Sequence, residues 1–251
     1  MRLIIIISLL FYLNSCLISQ VVNIEQSRLK SKGKNIFGNV LLDIKYIKNT
    51  KELIQGKSHF QLQYANNKHI LLFLGNLAYI SADGQSFLNS GFGHVRYNYV
   101  LSERWVNAEV FIQNQYNEIQ KIGNRSLKGL GPRFKIIEKD TIHLYFGSLF
   151  MHETEISVNE LDPAQSLWRL SNYVSLAWKI KPSISFQTIS YFQPALNSFS
   201  DYRFTNESSL NLKIFEGLAF YFKFSLLIDT TPLENVPESI LSLSNGLKYQ
   251  F

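Results

Sequence analysis

The sequence predicts an all-β protein: a transmembrane antiparallel β-barrel of about 12 strands, preceded by a cleavable signal peptide. Three observations predict it. The chain opens on a short apolar run behind a basic residue, alternates apolar and polar residues through nearly all that follows, and stops on an aromatic-rich segment ending in Phe251. Composition agrees with this. Of 251 residues, 46% are hydrophobic and only 18% charged, with 13 Tyr and 19 Phe. Disorder needs the opposite balance, low hydrophobicity with high charge. The mean hydropathy of -0.03 is too low for a helical membrane bundle, which needs several apolar runs of about 20 residues. A sheet that hides its apolar face by alternation satisfies both limits.

The first element is the targeting segment. Arg2 supplies a positive start, and Leu3 to Leu13 are apolar except for Ser8 and Tyr12. Asn14, Ser15, Cys16, Ser19 and Gln20 follow. The run is too short to span a bilayer and reads as a Sec-type signal peptide over 1–19, cleaved after Ser19. Leu17 is bulkier than the ideal at its position before the cut. Cys16 is the only cysteine, so no intramolecular disulfide forms. Leu13-Asn14-Ser15-Cys16 is a loose match to a lipid-attachment motif; the alternative is that Cys16 leaves with the signal. A polar lead-in over 20–34 precedes the barrel, which is expected over 35–251 as one domain.

Period-two alternation then marks the strands. The first, about 36–47, sets Val40, Leu42, Ile44 and Tyr46 against Asn39, Asp43 and Lys45. The second, about 57–66, sets Phe60, Leu62 and Tyr64 against His59, Gln61 and Gln63, and the third, about 68–80, is apolar on both faces. The fourth and fifth, about 91–101 and 105–117, place Arg96 and Asn98, then Asn107, Glu109, Gln113 and Gln115, on their polar faces. The sixth, about 127–138, sets Leu130, Phe134 and Ile136 against Gly129, Gly131, Arg133 and Lys135. The seventh to tenth fall near 141–152, 166–180, 183–193 and 203–215. The eleventh, about 218–229, is the clearest, with Leu218, Phe220, Phe222, Phe224, Leu226 and Ile228 facing one way. The twelfth, about 239–251, carries Leu247, Tyr249 and Phe251 on one face, the pattern of a barrel-assembly signal.

The connections give an independent reading. Short turns at Asn66-Asn67, Ser102 to Arg104, Lys139-Asp140, Lys181-Pro182 and Glu216-Gly217 alternate with longer loops near 48–56, 81–90, 118–126, 153–165, 194–202 and 230–238. Short periplasmic turns opposite long outer loops are the outer-membrane arrangement. The rival is a soluble all-β sandwich or a periplasmic lipid-binding barrel, whose apolar face points inward. Strands of about 10–14 residues exceed the usual 5–6 and match a tilted crossing. Tyr46, Tyr99, Trp105, Trp168 and Trp178 lie near strand ends, where interfacial girdles sit.

If the apolar face meets lipid, the polar face fills the lumen. Arg96, Asn98, Glu109, Gln113, Arg133 and Lys135 then point inward on three neighbouring strands, close enough for Glu109 to pair with Arg96 or Arg133. The expected role is an ion-pair network fixing strand pairing; the alternative is a lining for a solute path. Gly129 and Gly131 leave room for these side chains or permit a bend. Catalytic and metal motifs are weak. The five histidines lack metal spacing, and no serine has a nucleophile-elbow context. His152, Glu153 and Glu155 read as a surface charge cluster at a loop mouth. The expectation is therefore no enzyme and no cofactor. The net charge of +6 mixes both signs along the chain and suits anionic lipid heads or solutes; export excludes nucleic acid as partner.

The stretch Gly93-His94-Val95-Arg96-Tyr97-Asn98-Tyr99, then Trp105, Glu109 to Gln115, Arg125 and Gly129-Leu130-Gly131-Pro132-Arg133-Phe134 resembles the domain-of-unknown-function family numbered 481. Its members are described as salt-induced outer-membrane proteins. The resemblance is carried by about 90–137, with strand rhythm and the terminal Phe elsewhere. It implies an outer-membrane barrel and transfers no catalytic residue. Pro132 in the glycine strand and the extended lead-in depart from the pattern.

The sequence thus leads to a monomeric barrel in the bacterial outer membrane, a narrow channel or a structural envelope protein. Its expected partners are outer-membrane lipid and the barrel-assembly machinery. The alternatives are an outer-membrane lipase or esterase at the loop rim and a soluble periplasmic lipid-binding barrel.

Overall fold

The computed structural model describes residues 36–159 and 163–249. The expected signal segment, Cys16, the lead-in and Phe251 lie outside those residues. Twelve strands form one antiparallel sheet in chain order, each bonded to the next. They are β1 (Ile36–Lys48), β2 (Glu52–Asn66), β3 (His69–Ala82), β4 (Gln85–Ser102), β5 (Val106–Asn117) and β6 (Ile122–Lys139). Then come β7 (Ile142–Ser157), β8 (Gln165–Lys181), β9 (Ile184–Pro194), β10 (Tyr202–Phe215), β11 (Leu218–Asp229) and β12 (Ser239–Tyr249). The described residues contain no helix.

The short-turn rim lies where the sequence puts it. The loop rim does not. β2, β4 and β6 begin earlier and β7 ends later than the alternation suggests, so the first three expected long loops shrink to 49–51, 83–84 and 118–121. There the hairpins run past the apolar band into polar residues such as Gln85 and Ser86, and Thr154 and Glu155. The ladder persists there although the hydrophobic signal has stopped. Asp83-Gly84 closes one of these hairpins with both φ angles positive, 51° and 77°, the geometry a two-residue hairpin prefers.

The sheet is strongly curled. Tyr173 on β8 reaches Glu109 on β5, and Arg203 on β10 reaches Glu153 on β7. In a flat sheet strands three apart would be separated by about 14 Å. Among the described residues no ladder joins β12 to β1, and β1 is exposed on both faces. Its described pairing is to β2, in register from Ile36–Tyr64 to Lys48–Glu52.

The two faces invert the usual soluble arrangement. Val110, Ile112, Leu130, Phe150, Val174, Leu241 and Leu243 stand exposed on the convex face. On the concave face Arg169 is 0% exposed and Glu109 is 1% exposed. Aromatic residues collect at both ends of the convex face: Tyr46, Tyr79 and Trp168 toward the loops; Tyr64, Tyr97, Trp105, Trp178 and Tyr249 toward the turns. Trp168 and Trp178 stand ten residues apart along β8. At about 3.3 Å per residue and a tilt near 40°, that is a height of about 25 Å.

Packing inside is organised by rings laid across glycines. Phe111 lies opposite Gly129, Tyr173 opposite Gly147, and Tyr221 opposite Gly246. A Cβ on Gly147 would fall 2.1 Å from Cε1 of Tyr173. The ring therefore uses the space the missing side chain leaves, and its hydroxyl is delivered to Glu109. Gly147→Ala should displace that ring and cost about 1–3 kcal/mol through overpacking. Urea unfolding in detergent, followed by tryptophan fluorescence, measures it; an unchanged midpoint would contradict this account of the glycine.

Candidate functional site

The buried charges form two layers. The turn-side layer is centred on Glu109 of β5, which lies in register with Asn98 of β4 and Gly131 of β6. Arg96 approaches its carboxylate at 3.6 Å and Arg133 at 3.5 Å. The Tyr173 hydroxyl donates to Glu109 Oε2 at 2.5 Å. The rings complete the layer: Arg96 lies 5.5 Å from the Phe111 centroid and 5.8 Å from that of Tyr173, and Arg133 lies 3.9 Å from that of Tyr145. An unpaired carboxylate buried this deeply would be strongly unfavourable, so the two guanidiniums and the phenol are what permit it.

The loop-side layer is larger. Glu153 of β7 holds Arg203 of β10, Arg169 of β8 at 2.8 Å and Arg125 of β6 at 3.7 Å. Glu155 pairs with Arg125 and with Arg203, the latter at 3.1 Å. Asp229 takes Arg203 Nε at 2.6 Å, and Asp201 takes Arg169 Nη1 at 2.9 Å. Six segments from β6 to β11, including the loop before β10, are thereby tied together across the concave face.

Between the layers lie Phe111, Leu127, Leu149, Met151, Ile189 and Tyr191, packed as an apolar cluster. A cavity of about 80 Å³ remains there, with Gln120 and Arg203 on one side and His94 and Arg96 on the other. That is room for a few water molecules, since one needs about 10–15 Å³ by the same measure. Gln113 Oε1 accepts from His94 Nδ1 at 3.1 Å, and Gln113 Nε2 donates to Gln115 Oε1 at 2.9 Å along its wall.

Of the residues singled out in the sequence, Arg96, Asn98, Glu109 and Arg133 come together as buried neighbours, and Gln113 lines the cavity. Lys135 does not join them. Its Nζ donates to the Glu103 carbonyl at 2.7 Å and pairs with Glu138 at 3.0 Å, at the turn rim. A register shift between Lys135 and Ile137 marks where the alternation breaks. Leu247 and Tyr249 stand exposed on the convex face of β12.

Glu153 and Glu155 are not a surface cluster. Both are buried, because β7 continues to Ser157 and keeps them on the same face as Leu149 and Met151. His152 points the other way, 4.9 Å from the Trp168 ring, and bonds Ser166 Oγ through Nε2 at 3.1 Å. No carboxylate among the described residues bonds the other nitrogen of that His–Ser pair. The described residues also hold no grouping of three His, Cys, Asp or Glu suited to a metal ion. The sequence reading missed Arg169 and Arg203, which share their strands with conspicuous outward residues such as Trp168 and Leu210.

A family model described as "Protein of unknown function, DUF481" matches residues 51–251. The chain belongs to that family. The DUF481 match extends well beyond the stretch on which the resemblance rested and takes in both charge layers. No curated protein matches the sequence. Among solved structures, one titled "NanC porin structure in rhombohedral crystal form" is similar at 9% identity and TM-score 0.48, covering 84% of this chain and 100% of that one. The translocator domain of autotransporter NalP from Neisseria meningitidis is similar at 9% identity and TM-score 0.41, covering 89% of this chain and 91% of that one. A bacterial polysaccharide outer membrane secretin gives 9% identity and TM-score 0.44, with 84% and 90% covered.

Proposed function

We propose that this DUF481 protein is an outer-membrane β-barrel whose lumen is a narrow, charge-lined conduit for small ions. The observation that carries the reading is the inversion of the two faces: apolar side chains stand exposed outside while arginines and glutamates are buried inside. Water rewards neither half of that arrangement, whereas a bilayer rewards the first and a lined lumen permits the second. The aromatic ends of the outer face, about 25 Å apart, suit the two membrane interfaces. In this reading the chain is exported by its signal peptide and the terminal strand with Leu247, Tyr249 and Phe251 is read by the assembly machinery. β12 then closes onto β1, whose antiparallel sense fits an even strand number and removes both open edges.

The conduit runs along the side that the charge layers leave unfilled. Lys45, Lys57 and Lys223 share the inward face there with Asp43, and Asp43 lies in register with Lys57. Lys45 and Lys223 are exposed and Lys57 half-buried, an arrangement that favours anions. Planar-bilayer recording tests this. Small conductance with anion preference is expected, and K57E combined with K223E should reverse the sign of the reversal potential in a salt gradient. A wide, unselective pore would contradict it. Silence would favour a second reading, a structural envelope protein, to which the side-chain ties across β4–β11 lend support.

A further inference from the structure

On the convex face the alternation conceals a polar island. Ser148 on β7, Asn172 on β8, Thr188 and Ser190 on β9, and Asn206 and Ser208 on β10 share that face in neighbouring register. The island is about 14 Å wide, three strand spacings. It sits between Trp168 and Trp178, midway up the wall, with Phe146 and Phe150 beside Ser148 on β7, and Phe192 and Leu210 bounding it on β9 and β10. β11, by contrast, is apolar on this face from Leu218 to Ile228.

These groups bond one another. Ser148 donates to Asn172 Oδ1 at 2.8 Å; Asn206 Nδ2 donates to Ser190 at 2.8 Å and Thr188 at 3.1 Å; Ser208 donates to Asn206 Oδ1 at 2.9 Å. Asn172 Nδ2 has no acceptor among the described residues. A hydrocarbon environment offers it none, and no water or headgroup reaches that depth. The island is also built of small side chains between rings, so it is a dent into which another backbone can settle closely.

We infer that the island is the contact surface for a second copy of this chain within the membrane, an inference that rests on the membrane reading above. The occupant follows from the chemistry. Every member is uncharged, and each hydroxyl and amide both donates and accepts, so the surface is complementary to itself across a two-fold axis. In such a pair the Asn172 amide of each copy meets Ser148 or Asn172 of the other, reciprocally. A dimer departs from the monomer expected from the sequence.

The test uses the full chain with Cys16 replaced by Ala, in detergent micelles and in lipid vesicles. Light scattering should give a two-copy mass. Oxidation should link S190C into a dimer while F73C, on the convex face of β3 six strands from β9, stays single. N172L combined with N206L should weaken dimerisation about tenfold while keeping heat-modifiable gel mobility, since these substitutions make the wall more apolar. A one-copy mass at all concentrations, equal linking at both positions, or S190C linked to a chain of another mass would overturn the inference. Solubility of the wild-type protein without detergent would overturn the membrane reading, and the inference with it; a detergent-requiring monomer overturns the inference alone.

Discussion

Glu153→Ala should be the most damaging single substitution in the concave face. The carboxylate neutralises part of Arg125, Arg169 and Arg203 at once, at a site where Glu153 is 2% exposed and Arg169 is 0% exposed. Removing one partner of a buried pair leaves its mates charged and dry, which costs about 3–5 kcal/mol. The loss should appear as a lower urea midpoint in micelles, with the slope unchanged. Substituting Arg169→Met in the same chain should recover part of it, because the unpaired charge disappears together with its former partner. An E153A midpoint within about 0.5 kcal/mol of wild type would mean that the loop-side layer does not hold the sheet together.

Val110→Arg should be comparably damaging for the opposite reason. Val110 stands 50% exposed on the convex face of β5, next in sequence to the buried Glu109. On a water-facing surface an arginine there would change stability by less than about 0.5 kcal/mol. Facing the middle of a bilayer it should cost about 2–4 kcal/mol, declining for positions nearer either aromatic end. Folding yields into vesicles for V110R against an arginine at Trp105, by the turn rim, measure that depth dependence. Equal yields would contradict a lipid-facing wall.

The fold was legible because a buried or lipid-facing strand writes its period into every second residue. β11 shows this best: no outward position from Leu218 to Ile228 is polar. Strand ends were less legible, because hairpins that stand beyond the apolar band keep their ladder after the hydrophobic signal stops. That misplacement hid half of the site. Glu153 and Glu155 have the same parity as Gly147, Leu149 and Met151, so extending β7 by a few residues in period two would have turned them inward. The turn-side layer was found because Arg96, Glu109 and Arg133 lie on consecutive strands, where parity and spacing suffice. Tyr173, which completes it from 64 residues away in sequence, was not, since its reach depends on curvature and on the room left by Gly147. Neither has a local signature. The polar island has no period of its own, because Thr188 and Ser190 share the outward parity of Phe186 and Phe192 on β9.

The central claim is that the convex face meets lipid and the concave face does not. Accessibility of spin labels placed singly along β11, from Leu218 to Asp229, tests it most directly in vesicles. Even-numbered positions should collide with dissolved oxygen and be shielded from a water-soluble nickel chelate, and odd-numbered positions should show the reverse or neither. Collision with the nickel chelate at Phe220, Phe222 and Phe224 would contradict the account.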